Sequence, residues 1–303
     1  MKVLVTGATG LIGTQLCNHL LSEGHSIHIL TTRAPWQTDN TQTRVFQWSP
    51  KNMQIDNKAL NGVDAIINLA GEKINQRWTT KNKSSILASR VQSTRLLYES
   101  VKQAKKKLHI INASAIGIYP SDFDKKYSEA DTSFSLDFDG KVVRKWEEEV
   151  QKFDSISCLT TILRIGLVFS NKGGVFVPLS LTTRWGLGVW FGSGQQWQSW
   201  IHIKDVVGII DYCLKNKLEG CINATAPNPT RQRDLIKSIS KELGAPQFVP
   251  GISKFFMSIA LGEMHKLLFN SVYAKPQRML DSKYKYFFPD LSYCLSDLIA
   301  KNQ

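Results

Sequence analysis

The period of the apolar positions changes along the chain, and the changes mark out its elements. Lys2–Thr6 is a short apolar run of the kind that forms a buried strand. Leu11, Ile12, Leu16, Leu20 and Leu21 then recur near every 3.6 residues, predicting a helix over 11–23 that Gly24 stops. Further apolar runs predict strands at Ser26–Thr31, 65–69, 108–112 and 161–169, with helices at about 83–105 and 142–153. Short apolar runs alternating with helical patterns predict an α/β fold, a doubly wound parallel sheet of Rossmann type with crossover helices. From about Asn171 the texture changes. Glycine and tryptophan gather over 184–200, predicting loops and a hairpin. Strand-like 200–203, helix-like 205–214 and strand-like 221–224 resume the first pattern, and 231–303 reads as helix and loop. The expected division is a dinucleotide-binding domain over 1–170, to which 199–226 returns. A smaller, mostly helical substrate-side region then comprises 171–198 and 227–303.

The first turn carries the chemistry. A dinucleotide pyrophosphate needs backbone N–H donors at a helix N-terminus, and glycines that let the backbone approach. Gly7-Ala8-Thr9-Gly10-Leu11-Ile12-Gly13 joins an apolar strand to an amphipathic helix. In this reading Gly7 makes the tight turn, Gly10 admits the phosphates, Gly13 lets helix and strand pack, and Thr9, Leu11 and Ile12 complete the loop. The spacing is GxxGxxG, and its context after a strand gives it weight. At the end of the second strand, Thr31-Thr32-Arg33 replaces the carboxylate that would meet a ribose 2′-hydroxyl, and no acid follows before Asp39. A guanidinium suits a 2′-phosphate, so the expected cofactor is NADP(H), held by Thr32 and Arg33.

Composition narrows the class without changing it. In 303 residues, 42% are hydrophobic and 21% charged, ordinary values for a globular chain with a sizeable core. No stretch approaches the roughly 20 apolar residues of a membrane span. Five scattered cysteines with no metal-ligand spacing fit free thiols in a reduced, cytoplasmic setting, with no metal site. The net charge of +13 raises the question of nucleic acid. The longest basic run, Lys102 to Lys107, reads as a helix end, where cations meet the negative end of the dipole. No nucleic-acid-binding motif accompanies it, and the same field suits an anionic small ligand.

Several segments together resemble the extended short-chain dehydrogenase/reductases of the NAD-dependent epimerase/dehydratase superfamily. They are Thr6 to Gly13, Asn68-Leu69-Ala70-Gly71-Glu72, Arg77-Trp78, Ser89-Arg90, Ser114 to Tyr119, Trp146-Glu147, Trp200 to Asp205 and Asn223 to Pro227. The likeness is to an atypical branch labelled SulA-like epimerase family proteins, whose C-terminal domain of unknown function is matched by Ser271 to Pro276 and Tyr286 to Pro289. The resemblance implies that Leu69, Ala70 and Gly71 line the adenosine side, that Arg90 replaces an asparagine of typical members, and that Val168 sits near the nicotinamide. It also implies a Tyr-x-x-x-Lys pair, in which the lysine lowers the phenol pKa for proton exchange.

This chain departs from that pattern. Its one match, Tyr98 and Lys102, precedes Ser114 and falls in the wrong helix. The expected positions hold Asp139 and Val143: valine supplies no charge, and an aspartate is a poor stand-in for a phenol. Ser114 and Tyr119 remain as candidate catalytic groups, with Arg90 as an electrophilic stabiliser. The amides and indoles of 192–202 suit either a pocket wall or a packed domain joint. His202 reads as an acid–base group or a structural strand residue, and Asp205 as a helix N-cap. Two classes of function follow. One is an NADP(H)-dependent oxidoreductase or epimerase acting on a small molecule; the other is a non-catalytic dinucleotide-binding protein.

Overall fold

Apolar runs buried on both faces can only be covered by helices above and below, and that is how the chain arranges them. The structure is a computed structural model and describes residues 1–246 and 251–300. Its main sheet has eight strands. From one edge the order is Gly220–Ala224, Leu159–Ile165, His109–Ala115, Ala65–Asn68, Lys2–Thr6, Ser26–Thr31, Thr43–Ser49 and Gln54–Ile55. Every neighbouring pair is parallel except the last, which is antiparallel.

The chain therefore starts mid-sheet, winds out to one edge, and returns at Ala65–Asn68 to wind out to the other. The loops leaving Lys2–Thr6 and Ala65–Asn68 diverge, and the crevice between them is where open α/β sheets take their ligands. Alternate residues of Lys2–Thr6 face two cores. Val3 and Val5 join Leu16, Leu20 and Ile210 under helices Leu11–Ser22 and Ile203–Asn216. Leu4 joins Ile66, Leu97 and Val101 under helix Thr80–Gln103. Truncating any of these fully buried aliphatics to alanine costs about 2–5 kcal/mol.

Four elements differ from the sequence expectation. Thr43–Ser49 is a sheet strand that the pattern did not reveal, because polar residues interrupt its apolar run and the adjacent Val45 and Phe46 break the alternation. The run 161–169 is two strands, Leu159–Ile165 in the main sheet and Leu167–Ser170 in a smaller one with Trp200–His202. Gly166 forms the break, since a Cβ there would lie 2.3 Å from the Ser199 carbonyl oxygen. A helix, Phe176–Arg184, precedes the stretch 184–200 expected to be loops and a hairpin, and within that stretch Trp197–Gln198 pairs with the distant Thr230–Arg231 and Trp200 with Leu167. Finally, Asp205 is not the N-cap of its helix. His202 is, its Nδ1 accepting from the Lys204 N–H at 3.1 Å. The Asp205 carboxylate instead accepts the backbone N–H groups of Phe287 and Phe288 at 2.7 and 3.0 Å, tying the C-terminal segment to the sheet.

Candidate functional site

The dinucleotide loop is shaped by contacts that exclude side chains. Gly7 has φ of +67°, and a Cβ on it would lie 2.6 Å from the Leu69 carbonyl oxygen. Gly13 packs so tightly on the turn that a Cβ would lie 2.1 Å from the Gly7 carbonyl oxygen. Gly10 is the extended N-cap of helix Leu11–Ser22, leaving the first helical N–H groups without a side-chain cap. Such a helix start offers donors and a positive dipole end to an anion.

The neighbouring loop is locked against it. The Thr6 hydroxyl donates to Asn68 Oδ1 at 2.6 Å and accepts from the N–H groups of Leu69 and Ala70, both at 3.1 Å. Asn68 Nδ2 donates in turn to Asn112 Oδ1 at 2.5 Å and to the Thr94 hydroxyl at 3.1 Å. Three adjacent strand ends are thus fixed by buried polar bonds rather than by the ladder alone. Beneath Gly71 lies Arg90. Its guanidinium sits 5.2 Å from the centre of the Trp146 ring and donates to the Ile86 carbonyl at 3.0 Å. Burial pulls its pKa down to about 10, against the attraction of Glu72.

A cleft of about 730 Å³ opens between these loops. Gly7, Thr9, Thr32, Arg33, Ala70 and Gly71 all line it, so the structure gathers six of the sequence candidates in one place. Lys51 and Lys81 also line it, as do Trp36 and the hydroxyls of Ser84 and Ser85. None of these was singled out from the sequence. They come from segments far apart in the chain, and as lone surface lysines or serines they carry no local signal. Glu72 at the rim is held by the Ser85 hydroxyl and by Gln76 Nε2. Leu11 and Val168 stand apart from the cleft but come together around Gly174, whose missing Cβ would lie 3.2 Å from each.

The two candidate catalytic hydroxyls are placed differently. Ser114 is buried at a strand end, and its hydroxyl donates to Glu147 Oε1 at 2.5 Å. Arg164 clamps the same carboxylate with Nε at 2.9 Å and Nη2 at 2.8 Å, and its Nη1 donates to the Tyr119 hydroxyl at 2.9 Å. Burial works against the Arg164 charge, but the bonds to Glu147 outweigh it and raise the guanidinium pKa. Tyr119, the other candidate, is 2% exposed and stacked on Tyr127 at 5.0 Å. Its proton has two acceptors, Asn223 Oδ1 at 2.9 Å and the Ser128 carbonyl at 3.0 Å. Burial pushes the phenol up to about 12.

His202 is likewise enclosed, its ring tilted against Phe288 at 3.9 Å and 3.4 Å from Asp297. Gln196 is a joint rather than a wall. Its Nε2 donates to Phe191, Gln232 and Leu268. Among the described residues no cluster of three potential metal ligands occurs, no helix is long and apolar enough to cross a membrane, and the five cysteines are unpaired.

Comparison with known proteins agrees with this geometry. Residues 3–136 match the NAD dependent epimerase/dehydratase family, and residues 252–298 match a domain of unknown function, DUF1731. The epimerase family protein YfhF of Bacillus subtilis is 34% identical over 99% of this chain and 98% of its own length. The epimerase family protein SAR0825 of Staphylococcus aureus is 33% identical over 99% of both. Among solved structures, the human epimerase family protein SDR39U1 with NADPH covers 100% of both chains at 27% identity and a TM-score of 0.85. UDP-glucuronic acid 4-epimerase from Bacillus cereus shares the fold at a TM-score of 0.80 and 20% identity. Strand order, glycine loop and full-length similarity converge: the chain belongs to the NAD dependent epimerase/dehydratase family, in a branch that ends in the DUF1731 domain.

Proposed function

We propose that this chain is an NADP(H)-dependent oxidoreductase or epimerase-like enzyme acting on a small molecule. The observation that carries the reading is the cleft at the switch point, where the glycine loop faces Thr32, Arg33, Lys51 and Lys81. Three cations around one rim suit the extra charge of a 2′-phosphate and exceed what a ribose hydroxyl needs. The cradle fits the group. The helix start at Gly10 receives the pyrophosphate, and the glycines leave the space that side chains would fill. The human neighbour solved with NADPH supports the same choice.

When bound, the dinucleotide supplies hydride chemistry. The protein's own part is to hold it and to handle a proton. Arg33 and the lysines anchor one end. The Thr6–Asn68–Asn112 bonds keep the loop over Gly71 rigid. The Ser114 hydroxyl already donates its hydrogen bond to Glu147, so toward a substrate it acts as an acceptor.

Titration of NADPH and NADH into the wild type and Arg33→Ala tests the reading. The expected result is tighter NADPH binding in the wild type. Arg33→Ala should lose about 1.5–3 kcal/mol of it, roughly 10- to 150-fold, with little change for NADH. Equal wild-type affinities would refute the assignment.

One observation favours the non-catalytic alternative. The Ser114–Glu147–Arg164–Tyr119 bonds are closed on themselves, leaving both hydroxyls occupied. Oxidation of NADPH in the presence of a panel of aldehydes and ketones separates the two. Turnover with any of them removes the alternative.

A further inference from the structure

One buried carboxyl has an oxygen without a hydrogen-bond partner among the described residues. Asp139 lies in the first turn of helix Phe138–Gln151 and is 5% exposed. Its Oδ2 is 3.4 Å from Asn270 Nδ2 of the C-terminal segment. The same oxygen would be 3.2 Å from a Cβ on Gly117, which follows the strand His109–Ala115 by two residues. Its Oδ1 is buried and accepts no hydrogen bond among the described residues. An ionised Oδ1 left in this way gives up hydration with no hydrogen bond of its own in return.

The surrounding charges do not rescue it. Burial raises the carboxyl pKa most, the N–H groups of Asp139 and Gly140 lower it, Asp137 raises it further and Lys266 lowers it. Lys266 is itself bonded to Asp137 at 3.2 Å. Val143, one turn on, brings no charge. Burial thus shifts the carboxyl toward its protonated form, in which Oδ1 is a donor without an acceptor among the described residues. A ligand oxygen brought to Oδ1 would supply one.

Position says which part of the ligand. A dinucleotide with its pyrophosphate at Gly10 and its adenosine toward Arg33 must send its other half across the switch point. That half lies over the ends of Ala65–Asn68, His109–Ala115 and Leu159–Ile165. Gly117 and Asp139 stand on that side. We infer that Asp139 is the proton-carrying residue at the nicotinamide end of the site. The inference rests on the dinucleotide reading above. It revises the expectation that an aspartate is a poor stand-in for a phenol: that holds for a solvated carboxylate, whereas burial raises the pKa of this one. For a carbonyl substrate the balance is one hydride from NADPH onto carbon and one proton from Asp139 Oδ1 onto oxygen. NADP⁺ and an aspartate remain, and water reprotonates the aspartate.

The test needs no substrate. NADP⁺ carries a positive ring and NADPH a neutral one, while both carry the same 2′-phosphate, so its titration cancels in the ratio of their affinities. Kd for each is measured from acid to alkaline pH in the wild type and in Asp139→Asn. In the wild type, NADP⁺ binding should strengthen relative to NADPH by about tenfold as pH rises through the carboxyl pKa. In Asp139→Asn the ratio should stay flat. Equal pH slopes in the two proteins overturn the inference and leave the dinucleotide reading intact, whereas failure of the wild type to bind either cofactor overturns both. If Asp139→Asn does not fold, the Asp139 carboxyl is titrated by carbon NMR in the wild type with each cofactor bound. A lower pKa with NADP⁺ supports the inference, and identical values refute it.

Discussion

Replacing Glu147 with glutamine should cost more than any surface substitution in this protein. The side chains of Glu147 and Arg164 are only 7% and 5% exposed. Their two parallel bonds, at 2.9 and 2.8 Å, match a guanidinium fork to a carboxylate. Glutamine preserves the shape and one acceptor, so the Ser114 bond survives. It turns the other oxygen into an NH₂ facing the NH₂ of Arg164, and it leaves a buried guanidinium uncompensated. Breaking such a pair from one side costs about 3–5 kcal/mol. That is a large part of the roughly 5–15 kcal/mol available to a domain. Urea unfolding followed by far-ultraviolet circular dichroism, with the slope held constant, measures the loss. The double variant Glu147→Leu with Arg164→Met removes both charges and should regain much of it, because apolar replacement of a whole buried pair is often neutral. A loss below about 1 kcal/mol for Glu147→Gln is the value expected of a solvated pair, and would refute the buried geometry.

Further outcomes follow from the same contacts. Gly13→Ala sets a methyl against the Gly7 carbonyl and 2.7 Å from the Ala8 Cα, both backbone atoms that cannot swing away. It should destabilise by about 1–3 kcal/mol and weaken dinucleotide binding; calorimetry showing wild-type affinity would disprove the tight turn. Tyr119→Phe removes the partner of Arg164 Nη1 and Asn223 Oδ1, so stability should fall by about 1–3 kcal/mol while NADPH affinity is unchanged; a loss of affinity without a loss of stability would return Tyr119 to the ligand site. Lys81→Gln should weaken NADPH several-fold and leave NADH alone, as read by titration. Burial lifts Asp205 from 3.8 to about 6 despite its two N–H donors. A raised folded-state pKa means that the folded chain holds the extra proton, so this contribution is fully present below about pH 4 and is lost as pH rises through about 6. The whole shift is worth about 3 kcal/mol, and comparing urea midpoints of wild type and Asp205→Asn across that window isolates it.

Features written in backbone constraint were legible in the sequence. Gly7 and Gly13 are glycines because a carbonyl oxygen stands where a Cβ would be, and no other residue satisfies that position. The apolar run Val3–Val5 within strand Lys2–Thr6 announces cover on both faces, and the parallel sheet follows. Features that depend on what meets what were not legible. Thr43–Ser49 pairs as a strand although it is neither a continuous apolar run nor a strict alternation, because its neighbour Ser26–Thr31 supplies the ladder. Lys51 and Lys81 reach one rim from different sides of the crevice, and neither differs locally from any other surface lysine.

Asp205 shows the same limit in a single residue. An acid near a helix start reads as a cap, yet the helix begins two residues earlier at Ile203, and the carboxylate faces the C-terminal segment instead. Asp139 carries the point into chemistry. The sequence identifies the residue and its place on the helix, and from these an ionised side chain is the natural reading. Its pKa is raised first by burial, against the N–H groups of Asp139 and Gly140, and that burial involves Gly117 and, 131 residues away, Asn270. The charge state of a buried acid is a tertiary property. For that reason the proton-handling capacity of this site is decided in the packing of the DUF1731 region against helix Phe138–Gln151, where a motif search over either segment alone has nothing to find.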